Sequence, residues 1–181
     1  MPDDRVRLLE LTVKTVVVHT VTYFCVGATA LFLLDYPTLY SRPDMTGFMR
    51  QTTDPMVMAG PLFQPVRGAV FALAIYPLRR AFFERKNGWL LLWWALVAFG
   101  IISTFGPAPA SLEGLVYTRI SVLHQLVGLP ETIFQALALA FGLTYWVNHP
   151  SNRWLTWTMC AAFVAVLLLS ITALVSTQRA A

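Results

Sequence analysis

Residues 154–175 read WLTWTMCAAFVAVLLLSITALV, and no Asp, Glu, Lys or Arg interrupts these 22 positions. An α-helix rises about 1.5 Å per residue, so about 20 apolar residues cross the hydrocarbon core of a bilayer, which is about 30 Å thick. The stretch therefore predicts a membrane-spanning helix.

The composition of the whole chain points the same way. Of its 181 residues, 57% are hydrophobic and only 12% are charged, and the mean hydropathy is +0.62. A soluble chain this short exposes too much surface to hide so many apolar side chains behind so few charges. The composition indicates an integral membrane protein. It argues against a soluble enzyme, a disordered chain, a coiled coil and a disulfide scaffold.

Four further apolar segments are candidates for spans. Numbered in chain order, segment one is 11–34, segment two 56–78, segment three 89–105, segment four 119–147 and segment five 154–175. The predicted fold is all-α, an integral membrane bundle of five transmembrane helices that forms a single domain over residues 1–181. Segments two and four contain proline and a charge, so their ends and their continuity stay open.

The distribution of Lys and Arg predicts the orientation of these segments, because short cytoplasmic loops carry an excess of both. One face of the predicted bundle carries eight of these residues: Arg5, Arg7, Lys14, Arg79, Arg80, Arg85, Lys86 and Arg153. The other face carries four: Arg42, Arg50, Arg119 and Arg179. The N-terminus is therefore predicted to be cytoplasmic and the C-terminus outside. The excess of positive charge, +4 overall, is interpreted as loop charge that orients the chain in the bilayer. No nucleic-acid partner is therefore expected.

Segment two carries the motif GPLFQPVRG at residues 60–68. Gly60, Gln64 and Arg67 lie at i, i+4 and i+7, which places them on one helix face with Arg67 near mid-depth. Pro61 and Pro65 each remove a backbone donor, so in one interpretation this stretch is unwound and lies against protein or a wet cavity. In the other, the regular helix begins at Pro65 and Arg67 snorkels to the outer headgroups.

Segment four carries a polar stripe at i, i+4, i+7 and i+11, formed by His124, Gly128, Glu131 and Gln135. An ionisable group at membrane depth costs about 2.5–3.5 kcal/mol on insertion scales, so it usually faces the bundle interior and finds a partner. Two structural interpretations stay open beside a functional one. In the first, the stripe forms hydrogen bonds that hold neighbouring helices together. In the second, Pro130 begins a new half-helix with Glu131 in its first turn.

Arg67 and Glu131 fall at similar depths if segments two and four both run inward. A direct or water-bridged pair between them would avoid two isolated charges, and nearby amides would satisfy the remaining hydrogen bonds. Segment one adds a histidine on one side of its helix. We therefore predict a buried polar site between segments one, two and four, with the ligand-binding residues Arg67, Glu131, Gln64, Gln135, His124 and His19.

No metal and no cofactor is predicted. Cys25 and Cys160 lack the spacing of zinc or iron–sulfur ligands. His19 and His124 differ by roughly 10 Å in predicted depth, which argues against a haem held by both. The loop GPAPASLEG at 106–114 has two interpretations. It folds back over the outer mouth of the bundle, or it forms a tight turn with Glu113 in solvent.

Three stretches together resemble a family of small bacterial multi-pass membrane proteins that carries no assigned activity. They are GPLFQPVRG at 60–68, GPAPASLEGLVYT at 106–118 and LPE at 129–131, and the resemblance covers about residues 55–147. It implies a multi-pass protein of the bacterial cytoplasmic (inner) membrane, and it adds no catalytic residues.

Three functions are consistent with these features. In the first, the polar site binds or translocates a small or lipid-like ligand that Arg67 would hold by an anionic group. In the second, the chain is a non-catalytic accessory subunit of a larger membrane complex. In the third, it is a membrane-embedded enzyme with His124 and Glu131 as acid and base, although no nucleophile or metal ligand completes such a site. Membrane lipid is an expected partner in all three.

Overall fold

A computed structural model describes the backbone of residues 6–180 and the side chains of residues 6–176. The contributions of Arg5 and Arg179 to the orientation, and the two ends of the predicted domain, lie outside these residues. The regular elements of the described chain are helical, with no strand. The α-helices are α1 (Leu8–Leu33), α2 (Tyr36–Tyr40), α3 (Pro43–Thr46), α4 (Pro55–Met58), α5 (Gly60–Ile75), α6 (Arg79–Phe83), α7 (Gly88–Val97), α8 (Leu112–Tyr117), α9 (Val122–Asn148) and α10 (Arg153–Ala180). A 3₁₀ turn (Tyr76–Leu78) joins α5 to α6, and a π-helical turn (Ala98–Ile102) continues α7.

Three helices in the described chain are long and apolar enough to cross a membrane, over residues 8–33, 122–148 and 153–176. They correspond to predicted segments one, four and five, whereas five such helices were predicted. Segment two contains the 16-residue α5, and segment three contains the 10-residue α7 with its five-residue π turn. At about 1.5 Å per residue, α5 is about 24 Å long, which is less than the hydrocarbon thickness of about 30 Å. The Gly-Pro pair at 60–61 delays the start of this helix.

Proline interrupts neither polar helix. The helix α5 begins at Gly60 with Pro61 in its first turn and continues through Pro65, and α9 runs without a break through Pro130. The interpretations in which segment two is unwound or starts at Pro65, and in which segment four restarts at Pro130, are therefore not what the structure has. Pro65 and Pro130 each remove one hydrogen bond from a helix interior, whereas Pro61 lies in the first turn, where an N–H has no partner within the helix.

The helix α1 lies at the centre of the bundle, where it packs against α5, α9 and α10, and α9 also packs against α7. The contact between α5 and α1 is close because Gly68 has no side chain. A Cβ atom built on Gly68 would lie only 2.7 Å from Cα of Val16. This approach brings the polar residues of α1 and α5 within reach of each other.

The connection between α1 and α5 folds against the bundle. Asp35 adopts a left-handed conformation with φ of 45°, which ends α1 and redirects the chain into α2. Leu39 and Met45 bury their side chains beneath the connection. The carboxylate of Asp44 accepts a hydrogen bond of 3.3 Å from the backbone N–H of Ser121, just before α9. The connection is thereby fastened to the beginning of α9.

Candidate functional site

A cavity of about 310 Å³ lies between α1, α5 and α9, and it is bounded further by the π turn and by residues 108–109. We call it the polar cavity. Four of the six predicted ligand-binding residues line it, namely His19, Arg67, Glu131 and Gln135. The other lining residues are Tyr23, Phe71, Leu96, Gly100, Ile101, Ala108, Pro109, Thr132, Ala136 and Leu139. The structure therefore brings these four residues together between the three helices, and their role in ligand binding stays a prediction.

Arg67 and Glu131 share this cavity but do not form a direct ion pair. None of the ion pairs of residues 6–176 includes the guanidinium of Arg67. Its Cζ atom instead lies 5.3 Å from the centroid of the Phe71 ring, a cation–π distance. The carboxylate of Glu131 accepts a hydrogen bond from the hydroxyl of Tyr36, in α2. The direct form of the predicted pair is therefore not formed, and Glu131 has a tyrosine partner instead.

His19 is held in place by Gln64, which lies behind it and does not line the cavity. The Nε2 atom of His19 lies 3.0 Å from Oε1 of Gln64, and the amide nitrogen of Gln64 donates to the carbonyl of Gly60 at 3.0 Å. Because Gln64 presents its oxygen to the ring, Nε2 of His19 is the donor and Nδ1 is left as an acceptor. The buried Nδ1 has no hydrogen-bond partner in the described part of the chain. Gln64 therefore acts on the site through His19.

A π-helical turn forms one wall of the polar cavity. In it the backbone N–H of Ser103 donates to the carbonyl of Ala98 at 2.9 Å, a bond that spans five residues. Gly100 and Ile101, within this turn, line the cavity. Such turns often occur at functional sites because the extra residue widens the helix locally. The apolar run of segment three gave no sign of this turn.

Gln125 is a buried residue that the sequence analysis did not single out. Its side-chain oxygen accepts from the backbone N–H of Ala110 at 3.2 Å, and its amide nitrogen lies 3.2 Å from the carbonyl of Gly114 and 3.1 Å from that of Ile120. These bonds hold the 103–121 loop against α9, and Ala108 and Pro109 of this loop line the cavity. The loop thus folds back over the bundle, as one interpretation had it, while Glu113 is exposed, as in the other.

His124 lies outside the polar cavity, contrary to its place in the predicted site. The side chain of Ser121 caps α9, so His124 falls in the first turn of the helix, about two turns before Glu131. Its Nδ1 atom lies 2.5 Å from Oδ2 of Asp44, and Nη1 of Arg42 lies 2.8 Å from its Nε2 atom. The arginine is a donor only, so Nε2 accepts and Nδ1 donates to the carboxylate. This hydrogen bond, helped by the one from Ser121, lowers the pKa of Asp44 below its ordinary value.

A second cavity, of about 330 Å³, lies between the C-terminal half of α1 and the N-terminal half of α9. We call it the apolar groove. Its lining is almost entirely hydrophobic and consists of Cys25, Val26, Thr29, Ala30, Leu33, Leu34, Val127, Pro130, Glu131 and Phe134. Glu131 is the residue that lines both cavities.

The side chains that could bind a metal ion are not grouped as a metal centre within the described residues. Within the described residues, no group of three or more His, Cys, Asp or Glu side chains is arranged to hold a metal ion. Comparison of the chain with protein-family models, with curated proteins and with solved structures found no match. The resemblance to small bacterial membrane proteins therefore stays a prediction, and the functional argument depends on the geometry of the site.

Proposed function

We propose that the chain is a multi-pass membrane protein that binds a small, lipid-like anion in the polar cavity, as a receptor or as a step in translocation. One observation carries this proposal. Arg67 lines the polar cavity, which is partly open and leaves this side chain exposed, and no described carboxylate pairs with it. A guanidinium at membrane depth without a partner costs about 2.5–3.5 kcal/mol, and an anionic ligand group would offset that cost.

The surface of the described bundle supports a membrane location. The span 153–176 of α10 has a mean hydropathy of 2.5, yet only 11% of its window is buried within the bundle. Large apolar side chains on this helix, such as Trp157, Val164 and Leu168, are exposed. An apolar face of this size is stable in lipid and unfavourable in water.

The two shorter apolar helices belong to the same proposal. The helix α5 is packed tightly on α1 through Gly68, and the apolar helix over 88–102 packs on α9. Helices held against long spans in this way would enter the bilayer with them, which gives five membrane-inserted segments. The N-terminus would be cytoplasmic, and the membrane would be the bacterial inner membrane, as the sequence predicts.

The polar residues of the cavity divide into a cationic end and an accepting end. Arg67 presents up to five N–H donors, which suit the oxygens of a carboxylate or phosphate group. Glu131 and the side-chain amide of Gln135 lie on the opposite helix, α9, and offer acceptors to hydroxyl or amide groups of the same ligand. A single negative charge on the ligand fits the end at Arg67, and the end at Glu131 and Gln135 fits donor groups of ligands that carry them.

The enzyme hypothesis gains no support from the geometry. His124 and Glu131 are seven residues apart, or about 10 Å along α9, and each is bonded to a different partner from the α1–α5 connection.

The accessory-subunit hypothesis has one favourable observation, the exposed apolar face of α10. Purification in neutral detergent tests it: a subunit would emerge in fixed ratio with a larger chain, and a self-sufficient receptor would emerge folded without one.

The binding proposal is tested with dodecanoate on the purified chain in neutral detergent. We expect Arg67→Gln to weaken dodecanoate binding by about tenfold or more, since a hydrogen bond to a charged group contributes about 1.5–3 kcal/mol. Arg50→Gln is the matched control, because Arg50 is exposed and bonded to Asp54 at 3.0 Å, away from the cavity. Isothermal titration calorimetry measures both. Equal affinities in the two variants would overturn the proposal.

A further inference from the structure

The apolar groove and the polar cavity are neighbours along the antiparallel pair of α1 and α9, and they share the lining residue Glu131. On α1, His19 and Tyr23 line the polar cavity, and Val26, Ala30 and Leu34 line the groove at helical spacing further along the chain. A spacing of three or four residues keeps side chains on one face of a helix. The two cavities therefore occupy successive positions on the same face of α1.

The same succession appears on α9. Gln135 and Leu139 line the polar cavity, Val127 lines the groove, and Glu131 between them lines both. The hydroxyl of Tyr36 bonds to Glu131 at this boundary. The two cavities thus share Glu131, with polar lining on one side of it along α9 and hydrophobic lining on the other.

We infer that the groove is the binding site for the hydrocarbon chain of the ligand whose anionic head is held at Arg67. This inference rests on the proposed function and adds the class of ligand, a single-chain amphiphile such as a fatty acid. The ligand's two chemistries match the two cavities: the carboxylate head requires a cation, and the chain requires an apolar wall. The groove is open at its side, where Cys25, Thr29 and Phe134 are exposed. A chain can therefore enter from the bilayer without crossing water.

The volume of the groove is adequate for this occupant. A volume of about 330 Å³ is about twice that of a cavity of about 150 Å³ that binds benzene. The groove therefore has room for a hydrocarbon longer than the six carbons of that ring. Shorter chains would leave part of the groove unfilled and would gain less from burial.

The test fills the groove with a larger side chain and compares a long-chain acid with a short-chain acid. Thr29 lines the groove, is exposed, and donates its hydroxyl to the carbonyl of Cys25 within α1. Thr172 is the matched control, because it is exposed on α10 and donates to Leu169 of its own helix. We expect Thr29→Phe to weaken dodecanoate binding by about tenfold relative to Thr172→Phe, since each buried methylene contributes about fourfold. Butanoate, which is too short to reach the groove, should bind both variants equally. Partition of the acids into detergent is the same for the two variants and cancels.

Cys25 provides a direct readout of the groove. The chain has two cysteines, so Cys160→Ala leaves Cys25 as its only thiol. We expect dodecanoate to slow the alkylation of Cys25 by N-ethylmaleimide about tenfold at saturation, and butanoate to leave it unchanged. Suppose that dodecanoate binding depends on Arg67 but neither protects Cys25 nor differs between the two threonine variants. That result would overturn the role of the groove and leave the proposed function standing. Dodecanoate binding that is indifferent to Arg67→Gln would overturn both.

Discussion

The close contact between α1 and α5 makes Gly68→Ala a quantitative test of the packing that forms the polar cavity. A methyl group on residue 68 would lie 2.7 Å from Cα and 3.3 Å from the backbone nitrogen of Val16. Both atoms belong to the backbone of α1, so no rotamer change can relieve the contact and the two helices must separate. Overpacking of this kind costs about 1–3 kcal/mol. The better helix propensity of alanine returns about 1 kcal/mol, which leaves a net destabilisation of about 1 kcal/mol.

Gly128→Ala is the matched control for this substitution. Gly128 lies within α9, and a Cβ atom built on it would meet no other atom within 4 Å. The control keeps the gain in propensity without the steric cost, so we expect it to raise stability by up to about 1 kcal/mol. Reversible unfolding in mixed dodecyl sulfate micelles, followed by tryptophan fluorescence, gives the free energy of unfolding of both variants. Equal changes in the two variants, or a more stable Gly68→Ala protein, would refute the packing of α5 on α1 described above.

Two further predictions concern the segments that cover the bundle. Gln125→Leu should lower the free energy of unfolding by about 2 kcal/mol and speed proteolysis of the 103–121 loop, because it leaves the half-buried N–H of Ala110 and the buried carbonyl of Ile120 without this partner. Unchanged cleavage would show that the loop is held by other contacts. The hydrogen bond with His124 lowers the pKa of Asp44. This bond therefore stabilises the fold at pH values above the ordinary pKa of aspartate, and its contribution is lost as the pH falls through the lowered pKa. Hydrogen exchange in α3, corrected for the intrinsic rate, should therefore accelerate on acidification towards pH 3, and Asp44→Asn should abolish that dependence.

The long helices were predictable because each depends on a single local property. The helices α1, α9 and α10 follow from uninterrupted apolar runs, whose burial in lipid needs no knowledge of their neighbours. The shorter α5 and α7 were overestimated as spans. The length of α5 is set by its start at Gly60–Pro61, and the length of α7 by the π turn that follows it. Hydropathy carries no information about either feature.

The candidate site was predictable to the extent that helical spacing fixes a face. The spacing of Glu131 and Gln135 on one helix, and the depth of Arg67 on another, brought these residues to one cavity. The same stripe wrongly included His124, because the start of α9 at Val122 places that residue beside the α1–α5 connection. Spacing along one helix carries no information about a partner such as Tyr36, which reaches Glu131 only through a tertiary contact.

The α1–α5 connection is attached to α9 at two separate points, one through Tyr36 at Glu131 and one through Asp44 at His124. The left-handed backbone at Asp35 fixes where the first of these attachments falls. A shift of α9 along its axis would therefore break one of these hydrogen bonds or move α2 and α3 with it.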